Sequence, residues 1–149
     1  MEQTFFEQIS DINRAIHRIN SLYSKWAQEH ATNQNTISIM HMLVTEGQIT
    51  QKKFIEAHNV PKQSVNNIIL SLKKDQLIEM KSSEVDKREK VIVLTEKGKS
   101  YSEQLLSPLF ALEKQVVNEM GTESMRELMD STTKFGDMLE KVMKTEGKE

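Results

Sequence analysis

Residues 86 to 98 read Asp-Lys-Arg-Glu-Lys-Val-Ile-Val-Leu-Thr-Glu-Lys-Gly, and this stretch decides the fold. A charged tip without glycine leads straight into the apolar run Val91-Ile92-Val93-Leu94, which suits a β-strand. Thr95 follows where its hydroxyl can cap a new helix. Upstream, Leu77-Ile78-Glu79-Met80-Lys81 reads as the antiparallel partner. The spacing predicts a hairpin of strands 77–81 and 91–95 around the charged tip.

Two short helices precede the hairpin. Thr50 is placed to cap one that runs to residue 57, and Asn59-Val60-Pro61 makes a turn. Proline there sits at or near the first helical position, where its missing amide proton costs nothing. In the next helix, over 61–74, Val65, Ile68, Ile69 and Leu72 fall within about 100° on the helical wheel. The opposite side carries Gln63, Asn67, Leu70 and Lys74, flanked by Asn66 and Ser71. A helix-turn-helix followed by a hairpin is a winged helix, expected over 33–98, and such a hairpin tip suits a nucleic-acid backbone. A further helix over 37–44, ended by Gly47, precedes the pair.

The flanks are long amphipathic helices. Thr4-Phe5-Phe6-Glu7 has capping-box spacing. Behind it Phe5, Ile9, Ile12, Ile16, Ile19, Tyr23 and Trp26 recur in alternating steps of four and three, the seam of a helix of about 25 residues. A fifth helix is expected over 96–120, kinked or broken by Pro108 unless the proline opens a new segment. Gly121-Thr122 reads as a stop followed by a cap, and Met125, Leu128, Met129, Phe135, Met138, Leu139, Val142 and Met143 mark a sixth helix. The expected fold class is mainly α (α+β). The helices of 4–30 and 99–145 have more apolar surface than so small a core needs, which points to a two-fold dimer.

Composition agrees with this reading. The 149 residues suit one chain of ordinary domain size with an oligomerisation arm; 28% are charged and 5% aromatic, with five glycines and two prolines. No apolar run approaches the roughly 20 residues that cross a bilayer, so no membrane role is expected. The start, Met1-Glu2-Gln3-Thr4, is neither basic nor followed by a signal core, which speaks for the cytoplasm. The absence of cysteine excludes disulfides and thiolate metal sites. The net charge of -2 is unevenly spread: residues 50–90 hold nine Lys/Arg against six Asp/Glu, and the remainder 11 against 16. A module of +3 inside a body of -5 turns one face toward phosphates.

The chain resembles the MarR (multiple antibiotic resistance regulator) family of bacterial transcription factors over essentially its whole length. Asp86-x-Arg88-x-x-x-Ile92-x-Leu94-Thr95-x-x-Gly98 matches that family's wing signature at every defining position. Two departures stand out: Gln76 where the family commonly has glycine ending the recognition helix, and Asn67 where a basic residue is frequent. The resemblance implies a homodimer on double-stranded DNA, with Arg88 in the minor groove and Asp86 pairing with Arg88 to hold its direction. It also implies a small, often aromatic or anionic, effector between the dimer helices and the winged domain, where Trp26, His30, Met40, His41 and Met42 lie.

The residues add their own chemistry. Gln63, Asn66 and Asn67 carry a donor and an acceptor each, the arrangement that pairs bidentately with adenine. Lys62 and Ser64, near the positive end of the helix, suit phosphates or a base edge, and Thr50, Ser71, Lys87 and Lys90 extend that surface. Against this stands the arginine-free recognition helix, which leaves open a protein-interaction module that keeps the fold without DNA affinity. Histidines 17, 30, 41 and 58 form no i,i+4 pair, so neither metal nor other cofactor is expected. No glycine-rich phosphate loop or nucleophile elbow suggests an enzyme. The expectation is a ligand-responsive repressor of a pseudo-palindromic operator.

Overall fold

The structure is a computed structural model that describes residues 3–147. Met1 and Glu2 of the N-terminal stretch lie outside the described residues. The chain divides into two compact units, Met1–Leu106 and Ser107–Glu149.

The first unit contains α1 (Phe5–Glu29), α2 (Gln34–Glu46), β1 (Gln48–Ile49), α3 (Gln51–His58), α4 (Lys62–Lys74), β2 (Ile78–Ser82) and β3 (Lys90–Leu94). The capping box of α1 is present: Thr4 Oγ1 accepts from the Glu7 amide, and the Glu7 carboxylate accepts from the Thr4 amide at 2.8 Å. Only Ala27 of this helix is buried, so α1 joins the unit by its C-terminal end, where the Ser24 hydroxyl donates to Gln34 Oε1 at 3.0 Å. Asn33 caps α2 by accepting from the Thr36 amide at 2.9 Å, which starts this helix three residues earlier than its apolar pattern suggests. Gly47, at φ +78°, ends it as expected.

The sheet has three strands rather than two, in the antiparallel order β1-β3-β2. The additional strand is Gln48 and Ile49, paired with Val93 and Ile92. On its other edge β3 pairs with β2, Met80 opposite Ile92 and Ser82 opposite Lys90. Ile92 is therefore the centre of the sheet, fully buried together with Ile39, Met40, Leu43, Phe54 and Val65. This core packs α4 and the hairpin together.

Helix α5 (Glu96–Met120) runs from the end of the first unit into the second, and α6 (Thr122–Glu146) completes the latter. Contrary to the expected break, α5 is continuous through Pro108. The proline removes the donor to the Gln104 carbonyl, but Gln104, Ser107 and Pro108 are all exposed, so water can take that bond. The expected cap at Thr122 is also corrected. Gly121, at φ +81°, occupies the N-cap, makes no side-chain bond, and Thr122 is the first helical residue. Among the described residues no helix is long and apolar enough to cross a membrane.

Candidate nucleic-acid interface

Helix α3 begins at Thr50, whose Oγ1 accepts from the Lys53 amide at 3.1 Å. The hydroxyl proton stays available, since this bond uses only a lone pair. From the first turn of α3, Gln51 donates its amide to Asn66 Oδ1 on α4. Asn66 is half-buried and its carbonyl is occupied, so it joins the two helices rather than standing free beside the other amides.

On α4, Val65, Ile69 and Leu72 are buried, while Lys62, Gln63, Asn67, Leu70 and Ser71 are exposed and Ser64 is half-buried. Gln63 Nε2 donates to Asn67 Oδ1 at 3.1 Å across one turn. The pair is left with the Gln63 oxygen as acceptor and the Asn67 amide group as donor, the combination that meets an adenine edge. The sequence pattern identified both residues but not their bond.

The helix ends in a Schellman motif. The Leu77 amide donates to the Leu72 carbonyl at 2.9 Å and the Gln76 amide to that of Lys73 at 3.0 Å, with Gln76 left-handed at φ +59°. Glutamine thus takes the backbone conformation that glycine adopts freely. Three consecutive carbonyls then receive donors from the start of α5. Lys97 Nζ reaches that of Asp75 at 2.8 Å, the Thr95 hydroxyl that of Gln76 at 2.6 Å, and the Thr95 amide that of Leu77 at 3.1 Å.

The hairpin tip is folded rather than loose. Buried Ser83 accepts through Oγ from the amides of Val85 and Asp86 at 3.3 and 3.4 Å. The Ser83 amide donates to the Glu89 carbonyl at 2.9 Å, and Glu89 returns a bond to the Asp86 carbonyl at 3.0 Å. Asp86 Oδ1 accepts from the backbone amide of Arg88 at 2.9 Å. This corrects the expected side-chain pairing: the carboxylate shapes the turn, and among the described residues no ion pair engages the Arg88 guanidinium. Lys62, Lys74, Lys87 and Lys90 likewise have no ion pair there, whereas Lys52 and Lys81 lie against Glu56 and Glu79 at 3.9 and 3.2 Å. Ser83 is the organising residue missed in the sequence. A serine three residues before an aspartate is its available signal, since such hydroxyls cap turns.

The residues expected around an effector differ in their exposure. Half-buried Trp26 stacks on exposed His30, ring centroids 3.7 Å apart and planes 16° from parallel, and His30 Nδ1 donates to the Trp26 carbonyl at 2.8 Å. Met40 is fully buried and Met42 nearly so, both in the core, while His41 points to solvent. Met40 is therefore a packing residue of the first unit's core. Among the described residues no group of three His, Cys, Asp or Glu side chains could hold a metal ion.

No protein-family model and no curated protein sequence matches the chain. Solved structures do. A MarR family regulator from Neisseria meningitidis superposes with a TM-score of 0.81 at 28% identity, covering 91% of this chain and 96% of that one. The MepR–DNA complex from S. aureus gives 0.67 at 20% identity over 93% and 99%. Bordetella bronchiseptica BpsR, described by the regulation of its DNA binding by 6-hydroxynicotinic acid, gives 0.70 at 16% over 92% and 99%. The fold is that of regulators rather than of an enzyme. With the wing residues Asp86, Arg88, Ile92, Leu94, Thr95 and Gly98 in place on it, the chain has a winged helix-turn-helix fold similar to that of MarR family regulators.

Proposed function

We propose that this protein is a sequence-specific, DNA-binding transcriptional regulator that acts in the cytoplasm as a homodimeric, ligand-responsive repressor. The observation that carries the reading is the pre-folded wing: Ser83 and Asp86 use their acceptors on backbone amides, which leaves the guanidinium of Arg88 uncommitted. A cation held on an ordered turn loses less freedom on docking to phosphates or a narrow minor groove than one on a loose loop. Thr50, Lys62, Gln63, Ser64, Asn67, Ser71, Lys87 and Lys90 form the rest of the DNA-contacting set, with Asn66 and Asp86 as positioning residues.

Dimerisation rests on the helices of 4–30 and 99–145, with 33–98 as the reading head. Ile12, Ile16 and Ile19 of α1 and Leu128, Leu139 and Val142 of α6 are all exposed, far more apolar surface than a free monomer of this size keeps. Two heads related by two-fold symmetry meet half-sites about one helical turn apart. The stacked pair of Trp26 and His30 is the best remaining platform for a flat, anionic effector, which would act by preferring a dimer with the wrong head spacing.

Selection from random duplexes with the purified chain tests the reading. Enrichment of a palindrome is expected, with binding that weakens steeply from low to physiological salt. Absence of binding to any duplex at low salt would overturn it in favour of a protein-interaction module, the reading suggested by a recognition helix without arginine.

A further inference from the structure

Leu70 is 64% exposed and is the one large hydrophobic side chain so exposed on α3 or α4. It lies on the outer face of α4, among groups suited to DNA. On a helix of 3.6 residues per turn, Gln63, Asn67, Leu70 and Lys74 fall within about 60° of one another, opposite buried Val65, Ile69 and Leu72. The leucine is thus the third position of a stripe that begins with the bonded amides of Gln63 and Asn67 and ends with a lysine.

We propose that Leu70 is a specificity-determining residue that reads the C5-methyl group of thymine in the major groove. The inference rests on the DNA-binding reading above and extends it. The methyl of thymine is the apolar group that base pairs offer in that groove, and an aliphatic side chain is its physical complement. A leucine presented to the floor of the groove without a methyl to cover it would dehydrate base edges and return nothing, so it selects against other bases as well as for thymine. Its position sets the spacing. At 1.5 Å rise per residue, Leu70 lies about 4.5 Å along the axis from Asn67 and about 10 Å from Gln63. Base pairs stack every 3.4 Å or so, which places the thymine roughly one to three steps from the adenine that the amides meet.

The test begins with the duplex obtained by selection on the purified full-length chain. Each thymine is then replaced singly by deoxyuridine, which deletes the methyl and leaves every hydrogen-bonding group in place. One thymine in each half-site should lose about fourfold in affinity, the effect of one methyl-sized group leaving an apolar contact, and about sixteenfold when both are replaced. With Leu70→Ala the same replacements should lose nothing, while Leu70→Met should restore part of the loss. A wild-type scan that is flat, or a loss equally large in Leu70→Ala, overturns the assignment and leaves DNA binding intact. Failure of the wild-type chain to bind any duplex at low salt removes the DNA-binding reading itself, a result that no thymine scan can mimic.

Discussion

The Thr95 hydroxyl donates to the Gln76 carbonyl at 2.6 Å and accepts from the Gly98 amide at 2.9 Å, so one side chain caps α5 and anchors it on the end of α4. The recognition helix and the helix leading out of the wing therefore share an atom. The Thr–x–x–Gly part of the signature is explained by this geometry as much as by the wing.

Gly98 has no room for a side chain. A Cβ there would sit 1.8 Å from the Leu77 carbonyl oxygen, a backbone atom held in place by the Thr95 amide. Gly98→Ala should therefore destabilise the protein by about 3 kcal/mol or more and lower the Tm by roughly 10 °C. Thermal unfolding followed by circular dichroism checks it, and a Tm within 2 °C or so of wild type would show that the two elements separate without cost.

Gln76 presents the opposite case, a side chain where glycine would be more comfortable. Its φ of +59° carries a strain of about 1 kcal/mol, partly offset by the greater unfolded-state entropy of glycine. Gln76→Gly should raise stability by about 0.5 kcal/mol, whereas Gln76→Val should lower it by about 1 kcal/mol. Denaturant midpoints at constant m-value measure both. A less stable glycine variant would mean that the glutamine side chain makes a compensating contact.

Much of this was legible in the residues and some was not, for physical reasons. The amphipathic face of α4, the caps at Thr4 and Thr50 and the stop at Gly47 follow from local chemistry, and they stand where the sequence places them. Strand β1 escaped because two residues have no period, and only pairing with Ile92 and Val93 defines it. Asp86 was assigned the wrong partner because an i,i+2 spacing serves a guanidinium and a backbone amide equally well. Met40 and His41 were grouped as ligand neighbours, yet consecutive helical residues point about 100° apart, so one packs inside while the other meets solvent. At Gly121 and Thr122 two acceptable capping residues are adjacent, and nothing local ranks them.

At the other end of the first unit, Thr4 lowers the pKa of the Glu7 carboxyl, first through its backbone amide and then through its hydroxyl. A depressed carboxylate contributes stability that is present above its unfolded-state value and lost as pH falls through the folded one. The first turn of α1 should consequently loosen as pH falls through and below the ordinary carboxylate range. Protection of the Glu7 and Gln8 amides, which bond to Thr4, should fall there when measured relative to their intrinsic exchange rates, and Glu7→Gln should abolish that loss. An acid-induced loss of protection that persists in Glu7→Gln would assign the effect to another group.

Helix α6 buries none of its side chains, although it runs for 25 residues with apolar positions on one side. A helix in a protein gains most of its stability by packing its apolar face, so that of α6 is expected to come from a second copy. The wild-type chain should sediment at twice its own mass. Leu139→Glu removes two leucines from a symmetric interface, about 2 kcal/mol each, and should weaken association roughly a thousandfold. Operator affinity should fall in parallel because the two heads then bind independently. A wild-type monomer at micromolar concentration, with full operator affinity, would refute the dimer.

The wing separates charge from shape. Asp86 accepts from the Arg88 amide, so Asp86→Asn keeps the acceptor and loses only the charge, while Asp86→Ala loses both. If the carboxylate serves the turn alone, the asparagine variant should bind operator within about twofold of wild type, or slightly better for want of a negative charge near phosphate. The alanine variant should be weaker by roughly tenfold, since an unbonded turn no longer fixes the wing. Arg88→Ala should weaken binding most where the flank is rich in A·T pairs and should reduce the salt slope by about one. Fluorescence anisotropy at several salt concentrations reads all three. Equal losses for Asp86→Asn and Asp86→Ala would show that the carboxylate swings to the guanidinium once DNA is bound, and the turn would then be only its resting partner.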